Sequence, residues 1–181
     1  MKSFLQFITE GNYWYTGANP TVDNVIVRDH PEHGRQVLLI QRGETGVEAG
    51  KWAIPGGFRN PHPDQKRDQP WIETGSEAPQ AAAMREVEEE TGLRLDPKVH
   101  VLHPVGVYEG GGRDPRDTPD SWSRSHAFTI RIPYTRESDA VAGADDASAA
   151  RWWNVADLPK KMAFDHRTIV DDALSIHGKP D

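Results

Sequence analysis

The sequence contains no cysteine, which excludes at once a disulfide framework, a thiolate zinc site and a cysteine nucleophile. Any metal must be held by oxygen or imidazole. There is no run of the roughly 18 or more apolar residues that spans a bilayer. The opening MKSFLQFITEGNYWY has one lysine, lacks the apolar core of about 7–15 residues that a secretory signal needs, and shows no small-residue cleavage site. A cytoplasmic protein without a membrane partner is expected. Basic residues are the minority, 21 Lys+Arg against 28 Asp+Glu for a net charge of -7. A nucleic acid would meet a repulsive average field, so no nucleic-acid partner is expected, whereas a small anion bridged by a divalent cation is compatible with this balance. Apolar residues make up only 36% of the 181, and the mean hydropathy is -0.71. That is lean but sufficient for one core, and residues 1–181 are expected to form a single domain.

Aliphatic and β-branched runs separated by turn residues mark strands at Val22–Val27, Val37–Ile40, Trp52–Ile54, Val99–Val107, Ala127–Ile132 and Ala149–Trp153. Helical patterns are fewer: Ala78–Thr91, closed by Gly92, and Asp165–Ile176, closed by Gly178. Many strands with two substantial helices imply a mixed α/β layer architecture. Two stretches, 58–76 and 109–124, show no period and read as long loops, which are usually functional or decorative. The first holds three prolines, and the second holds three consecutive glycines with Glu109, Asp114, Asp117 and Asp120.

The most informative stretch is AAAMREVEEETGL, residues 81–93. On a 3.6-residue helix Glu86, Glu89 and Glu90 stand at i, i+3 and i+4 and share a face, while Ala83, Met84, Val87 and Thr91 form a separate, mostly apolar face that can pack on a sheet. Three like charges at this spacing repel by roughly 0.2–0.5 kcal/mol per pair, and Arg85, four residues before Glu89, offers local relief. A hard divalent cation such as Mg²⁺ or Mn²⁺ takes such oxygen ligands without sulfur or imidazole. A solvated acidic face is the alternative reading of the triple glutamate alone.

Glu77, followed after seven residues by Arg85-Glu86-Val87-Glu88-Glu89-Glu90-Thr91-Gly92-Leu93, resembles the Nudix box, G x5 E x7 R E U x E E x G U with U bulky and apolar. Lys51-Trp52-Ala53-Ile54-Pro55-Gly56-Gly57-Phe58 is similar to the strand and Gly-Gly turn that lead into that box. The flanking similarity runs from about 21 to 176. One departure is plain: the first glycine of the pattern would fall on Trp71, and 19 residues separate Gly57 from Glu77. The chain therefore carries an insertion at 58–76, which bears directly on whether Glu77 reaches a metal.

The resemblance implies a Nudix-type α/β/α sandwich, a mixed sheet between helices, that hydrolyses a nucleoside diphosphate linked to another group. It implies metal ligands Glu77, Glu86, Glu89 and Glu90, a Mg²⁺ cofactor with Mn²⁺ as an alternative, Arg85 orienting Glu86 or Glu89, and Gly56 and Gly57 at the substrate. A general base would come from the later loop, where Glu109, Asp114 and Asp117 are candidates and Glu109 is first choice. The ordered stretches GVYEGGGRDPRD, Ser125-His126-Ala127-Phe128, Asp145-Asp146-Ala147 with Arg151-Trp152-Trp153, and Met162-Ala163-Phe164-Asp165-His166 resemble the ADP-ribose pyrophosphatase branch. They imply ADP-ribose as substrate, cleaved to AMP and ribose 5-phosphate. Arg113 and Arg116 are then candidates for the pyrophosphate or terminal ribose, with a salt bridge to Asp114 or Asp117 as the competing account.

Tyr13, Trp14, Tyr15 and Tyr108 are candidates for an adenine wall; Trp52, Trp152 and Trp153 read as core. The eight histidines form no metal set, so no zinc is assigned, and His126 and His166 read as structural. Nudix relatives that act on a triphosphate, a dinucleoside polyphosphate or a nucleotide sugar share the same box. A noncatalytic nucleotide sensor is a further alternative, but such relatives tend to have an eroded box and a DNA-binding extension, whereas Glu86, Glu89 and Glu90 all stand here and no basic helix-turn-helix follows Ile176. A homodimer is neither required nor excluded by the sequence.

Overall fold

The computed structural model describes residues 13–110, 112–143 and 147–178. Most of the N-terminal stretch read above and the Asp145-Asp146 pair lie outside them. Seven strands form one mixed sheet: β1 (Gly17–His30), β2 (Gly34–Arg42), β3 (Trp52–Ala53), β4 (Gly56–Phe58), β5 (His103–Glu109), β6 (Ser121–Ile132) and β7 (Ala147–Asn154). The order is β3-β2-β1-β6-β5, with β4 pairing β1 and β7 pairing β2. Helix α1 (Pro79–Thr91) and helix α3 (His166–Ile176) follow the two helical patterns, and a short α2 (Arg136–Asp139) lies between them. Among the described residues no helix is long and apolar enough to cross a membrane.

β1 is central, flanked by β6 on one side and by β2 and β4 on the other, which is why Val22–Val27 is buried throughout instead of alternating. Its even-numbered residues Val22 and Ile26 join Phe128, Ile130, Ala82, Ala83 and Val87 in a core under α1. The odd-numbered Val25 and Val27 join Ala127, Ile169, Val170 and Ala173 under α3. The sheet thus has helices on both faces, as a three-layer sandwich requires.

Several boundaries differ from the sequence reading for identifiable reasons. β6 begins six residues before Ala127, because its polar half finds partners: Ser125 donates to Asp23 at 2.6 Å, and the parallel ladder to β1 runs from Gly17↔Ser121 to Arg28↔Ile132. β5 starts at His103 and not at Val99, since Asp96 turns the chain by accepting from the N–H groups of Val99 and His100, leaving Val99 and Val101 exposed. His100 is therefore not on a strand. Gly56-Gly57, expected as a turn, is the start of β4 and pairs with Asp23 and Val22. Gly92 closes α1 in the left-handed conformation, φ 71°, with its N–H on the Glu88 carbonyl.

Candidate active site

Helix α1 is held to the sheet from below by Ala82, Ala83 and Val87, and from the side by Asn24, whose side-chain amide donates to the carbonyls of Pro55 and Ala83. Asn24 also anchors the segment that leads into β4, so helix and strand are set against each other by one β1 residue. The three helical glutamates do not share one exposure. Glu86 and Glu90 are buried, 8% and 3% exposed, while the Glu89 side chain is 44% exposed. The sequence expectation of an acidic face separate from the packing face gives way to carboxylates seated at the helix–sheet boundary.

Glycines make room for them. A Cβ on Gly57 would lie 2.6 Å from the carboxyl carbon of Glu86, and the Gly56 N–H donates to Glu90 at 2.8 Å. Arg85 ties the cluster together: it donates to both oxygens of Glu77 at 2.9 Å, to Glu86 at 2.7 Å, to Glu89 at 2.8 Å and to the Phe58 carbonyl at 3.0 Å. Those carboxylates, Glu77 first and then Glu86 and Glu89, push the guanidinium pKa up against the opposite effect of burial. Burial alone would raise Glu77, but the Arg85 bonds and the Asn60 N–H at 2.8 Å hold it below the usual carboxylate range. Glu77 thus gives both oxygens to Arg85.

Among the described residues no three carboxylate or imidazole groups already converge with the spacing of a metal cluster. The donor chemistry nevertheless fits a hard divalent cation. Three carboxylates, Glu77, Glu86 and Glu89, face one guanidinium, Glu90 faces the Gly56 N–H, Glu86 and Glu90 are buried where uncompensated charge is costly, and all four are oxygen ligands.

The insertion is a closed loop. Arg59 donates to the Glu77 carbonyl at 2.7 Å, the Glu77 N–H donates to the Asn60 carbonyl, and the Asn60 N–H donates to the Glu77 carboxylate. Buried Arg59 also takes both oxygens of Glu73 at 2.8 and 3.1 Å, and Trp71 packs edge-on against Tyr15 with centroids 5.4 Å apart. The insertion therefore leaves Glu77 beside Arg85.

The other sequence-derived residues lie elsewhere. Arg113 donates to Asp165 at 2.7 and 2.9 Å, to Asp23 at 3.2 Å and to Ser123 at 2.8 Å, on the sheet face that α3 covers. Arg116 is paired with Asp114 of its own turn, one of the two partners weighed from sequence. Burial pushes Asp114 up, but Arg116 more than reverses this. Asp117 accepts from Tyr13 Oη and the Ser123 N–H. Glu109 is the remaining acid: half-exposed at the end of β5, it accepts from Trp122 Nε1 at 3.2 Å and lies 3.6 Å from Arg124.

The aromatics singled out from sequence are packed into the protein. Tyr13 and Tyr15 are buried, Trp14 carries Arg67 over its ring, and Tyr108 donates to Asp172 of α3. Sequence reasoning missed Trp122. Strand alternation from Phe128 and Ile130 puts Trp122, Arg124 and His126 on the α1 side of β6. Burial, with Arg59 and Arg124, pushes the His126 pKa down, and its Nδ1 has no hydrogen-bond partner among the described residues. His166, in contrast, accepts from the Ile54 N–H through Nδ1 and faces Asp23 through Nε2.

Comparison with known proteins agrees with this arrangement. The NUDIX domain family model matches residues 18–173. An ADP-ribose pyrophosphatase of Methanocaldococcus jannaschii is 34% identical over 153 residues, 84% of this chain and 71% of the relative. The mitochondrial ADP-ribose pyrophosphatase of Rattus norvegicus is 28% identical over 170 residues, 81% of this chain and 45% of that one. Among solved structures, the NUDIX domain of Shewanella oneidensis NrtR complexed with ADP ribose superposes with a TM-score of 0.66 at 25% identity, covering 89% of each chain.

Proposed function

This chain belongs to the NUDIX family, and on that premise we propose that it hydrolyses ADP-ribose to AMP and ribose 5-phosphate. It is a pyrophosphohydrolase of the ADP-ribose pyrophosphatase type; the particular substrate and the metal are our reading. The observation that carries it is the buried Glu86 carboxylate seated where Gly57 leaves space, beside Glu89, Glu90 and Arg85. Glu86, Glu89 and Glu90 would hold Mg²⁺, with Mn²⁺ as the alternative, and Glu77 would join them only by releasing Arg85. A bound divalent ion polarises a phosphoryl oxygen and makes water a better nucleophile.

The chain's own residues do the rest. Arg85 fixes the rotamers of Glu86 and Glu89, and the Gly56 N–H fixes Glu90, so the carboxylates are preorganised. Glu109 takes the proton from the attacking water, because Asp114 is clamped by Arg116, and Asp117 by Tyr13 and Ser123. Arg113 and Arg116 serve the substrate by bracing the loop that follows Glu109: Arg113 pins it to Asp23, whose neighbour across the ladder is Gly56. The reaction proceeds in the cytoplasm in this reading.

A second reading, nucleotide sensing, is favoured by the similarity to the NrtR domain; the intact set of box glutamates argues for turnover. Assaying ADP-ribose, nucleoside triphosphates, dinucleoside polyphosphates and nucleotide sugars with Mg²⁺ or Mn²⁺ tests the choice. AMP release should be fastest from ADP-ribose, and faster turnover of another class would replace it as the substrate.

A further inference from the structure

The segment that leads into β4 is held at three successive polar groups. Asn24 donates to the Pro55 carbonyl through its backbone N–H at 2.8 Å and its side-chain amide at 3.2 Å. The other end of that same planar amide, the Gly56 N–H, donates to Glu90 at 2.8 Å. Upstream, the Ile54 N–H donates to Nδ1 of His166 at 3.2 Å. Pro55 removes one of the torsions between these amides, its φ being held at about −65°. Anchoring the Ile54 amide therefore narrows the directions in which the Gly56 N–H can point.

His166, 4% exposed, is the first residue of α3, on the sheet face opposite α1, where Ile54 packs with Ile169 and Val170. The turn before it is pinned to β3: Met162 bridges Trp52, the Ala163 N–H donates to the Trp52 carbonyl at 2.8 Å, and the His166 N–H donates to the Ala163 carbonyl at 3.2 Å. Phe164 in that turn takes a φ of 52°, which a bulky side chain adopts only where its surroundings impose it. The imidazole is then oriented by a closed circuit. Nε2 faces Asp23 Oδ1 at 3.3 Å, Arg113 reaches Asp23 at 3.2 Å, and Arg113 clamps Asp165, the residue before His166, at 2.7 and 2.9 Å. Because Nδ1 accepts from Ile54, the ring proton stands on Nε2, where the Asp23 carboxylate favours it.

We propose that His166 is a positioning residue for the carboxylate site: its Nδ1 anchors the Ile54 amide, and through Pro55 this aims the Gly56 N–H that orients Glu90. The inference rests on the reading of Glu90 as a metal-holding group and adds to it a control from the opposite face of the sheet. Partners one step behind a metal ligand typically change affinity or turnover by about 10–100-fold. The two ring nitrogens have separate duties, which isosteres divide. An asparagine amide oxygen takes the Nδ1 position and accepts from Ile54; a glutamine amide nitrogen takes the Nε2 position and donates to Asp23.

Mn²⁺ binding to the full chain, measured by calorimetry without substrate, and AMP release from ADP-ribose test this on His166→Asn and His166→Gln. Circular dichroism establishes that both are folded. Both should lose some Tm, since each breaks one of two contacts. His166→Gln, without the Ile54 acceptor, should bind Mn²⁺ more weakly by about tenfold or more and lose kcat by a similar factor, with less change in KM. His166→Asn should keep most of both. Equal Mn²⁺ affinities in the two folded variants would make His166 a core group and overturn the inference. Nitrogen NMR of the native chain needs no variant: the His166 proton should be on Nε2, and a proton on Nδ1 overturns the inference as well. Failure of the ADP-ribose reading would show separately, as absent AMP release by a native chain whose Mn²⁺ binding still distinguishes the two variants.

Discussion

The Glu86 carboxylate lies where a side chain on Gly57 would begin, with its carboxyl carbon 2.6 Å and its oxygens 2.7 Å from that point. An added methyl therefore meets the end of a flexible side chain, and Glu86 must swing away. Gly56 differs: its added methyl would overlap the backbone carbonyl of Val22 and crowd Asp23, neither of which can yield cheaply. Gly57→Ala should thus lower kcat/KM by about tenfold or more with little change in Tm, whereas Gly56→Ala should cost roughly 1–3 kcal/mol of stability. Equal stability losses in denaturant titrations of the two variants would contradict this division.

Replacing the carboxylates themselves separates charge from shape. Glu90→Gln keeps an acceptor for the Gly56 N–H, and Glu89→Gln alters a half-exposed side chain, so neither should unfold the protein. Each removes like-charge repulsion worth roughly 0.2–0.5 kcal/mol per pair. Turnover should nonetheless fall by orders of magnitude if these groups hold the metal. Full AMP release by purified Glu90→Gln would remove it from that role.

The carboxylate helix was legible in the sequence because its signal is local: spacing on one helix, a glycine cap, and an arginine four residues before Glu89. The two-faced sheet was legible for the same reason in Val22–Val27 and Val37–Ile40. What the sequence did not expose were the long-range matches. Nothing near Ser123 or Ser125 announces that Arg113 and Asp23 satisfy them across β6 and β1. The destination of Arg113, the Asp165 carboxylate just before α3 and 52 residues away, is equally nonlocal. Trp122 lay in a polar stretch that reads as loop, so its place on a strand face was hidden until the parallel pairing with β1 extended that strand.

Asp23 sets the acid limit of the fold. Burial would raise its pKa, but His166, Arg113 and Ser125 together hold it well below the usual carboxylate range. The unfolded value is about 3.9, so ionised Asp23 stabilises the native state fully above that pH and the contribution drains away as pH falls through the lower folded value. Asp23→Asn should cost roughly 3–5 kcal/mol near neutrality, the usual effect of breaking a buried pair. The gap between native and variant in urea titrations should be constant above about pH 5 and narrow below about pH 4; a gap that widens on acidification would be the wrong sign.

The insertion at 58–76 is anchored at both ends and in its middle, which decides how it should respond to shortening. Arg59 and Glu77 close its base; Asp68 donates its N–H to the Trp14 carbonyl, Arg67 lies over the Trp14 ring, and Trp71 packs on Tyr15. Three prolines further reduce the entropy lost on ordering. Buried Arg59 holds the base of the loop against the protein, while most residues of the insertion are exposed. Replacing residues 61–71 by a short glycine-serine linker keeps Arg59, Glu73 and Glu77 but deletes the aromatic contacts, each worth about 0.5–1.5 kcal/mol. Tm should fall by a few degrees. If the loop walls the substrate, KM should rise several-fold while kcat changes less, because binding and not chemistry has been removed. A shortened protein that loses Tm but keeps its KM would make the insertion a brace for the Tyr13–Tyr15 segment, with no part in the cleft.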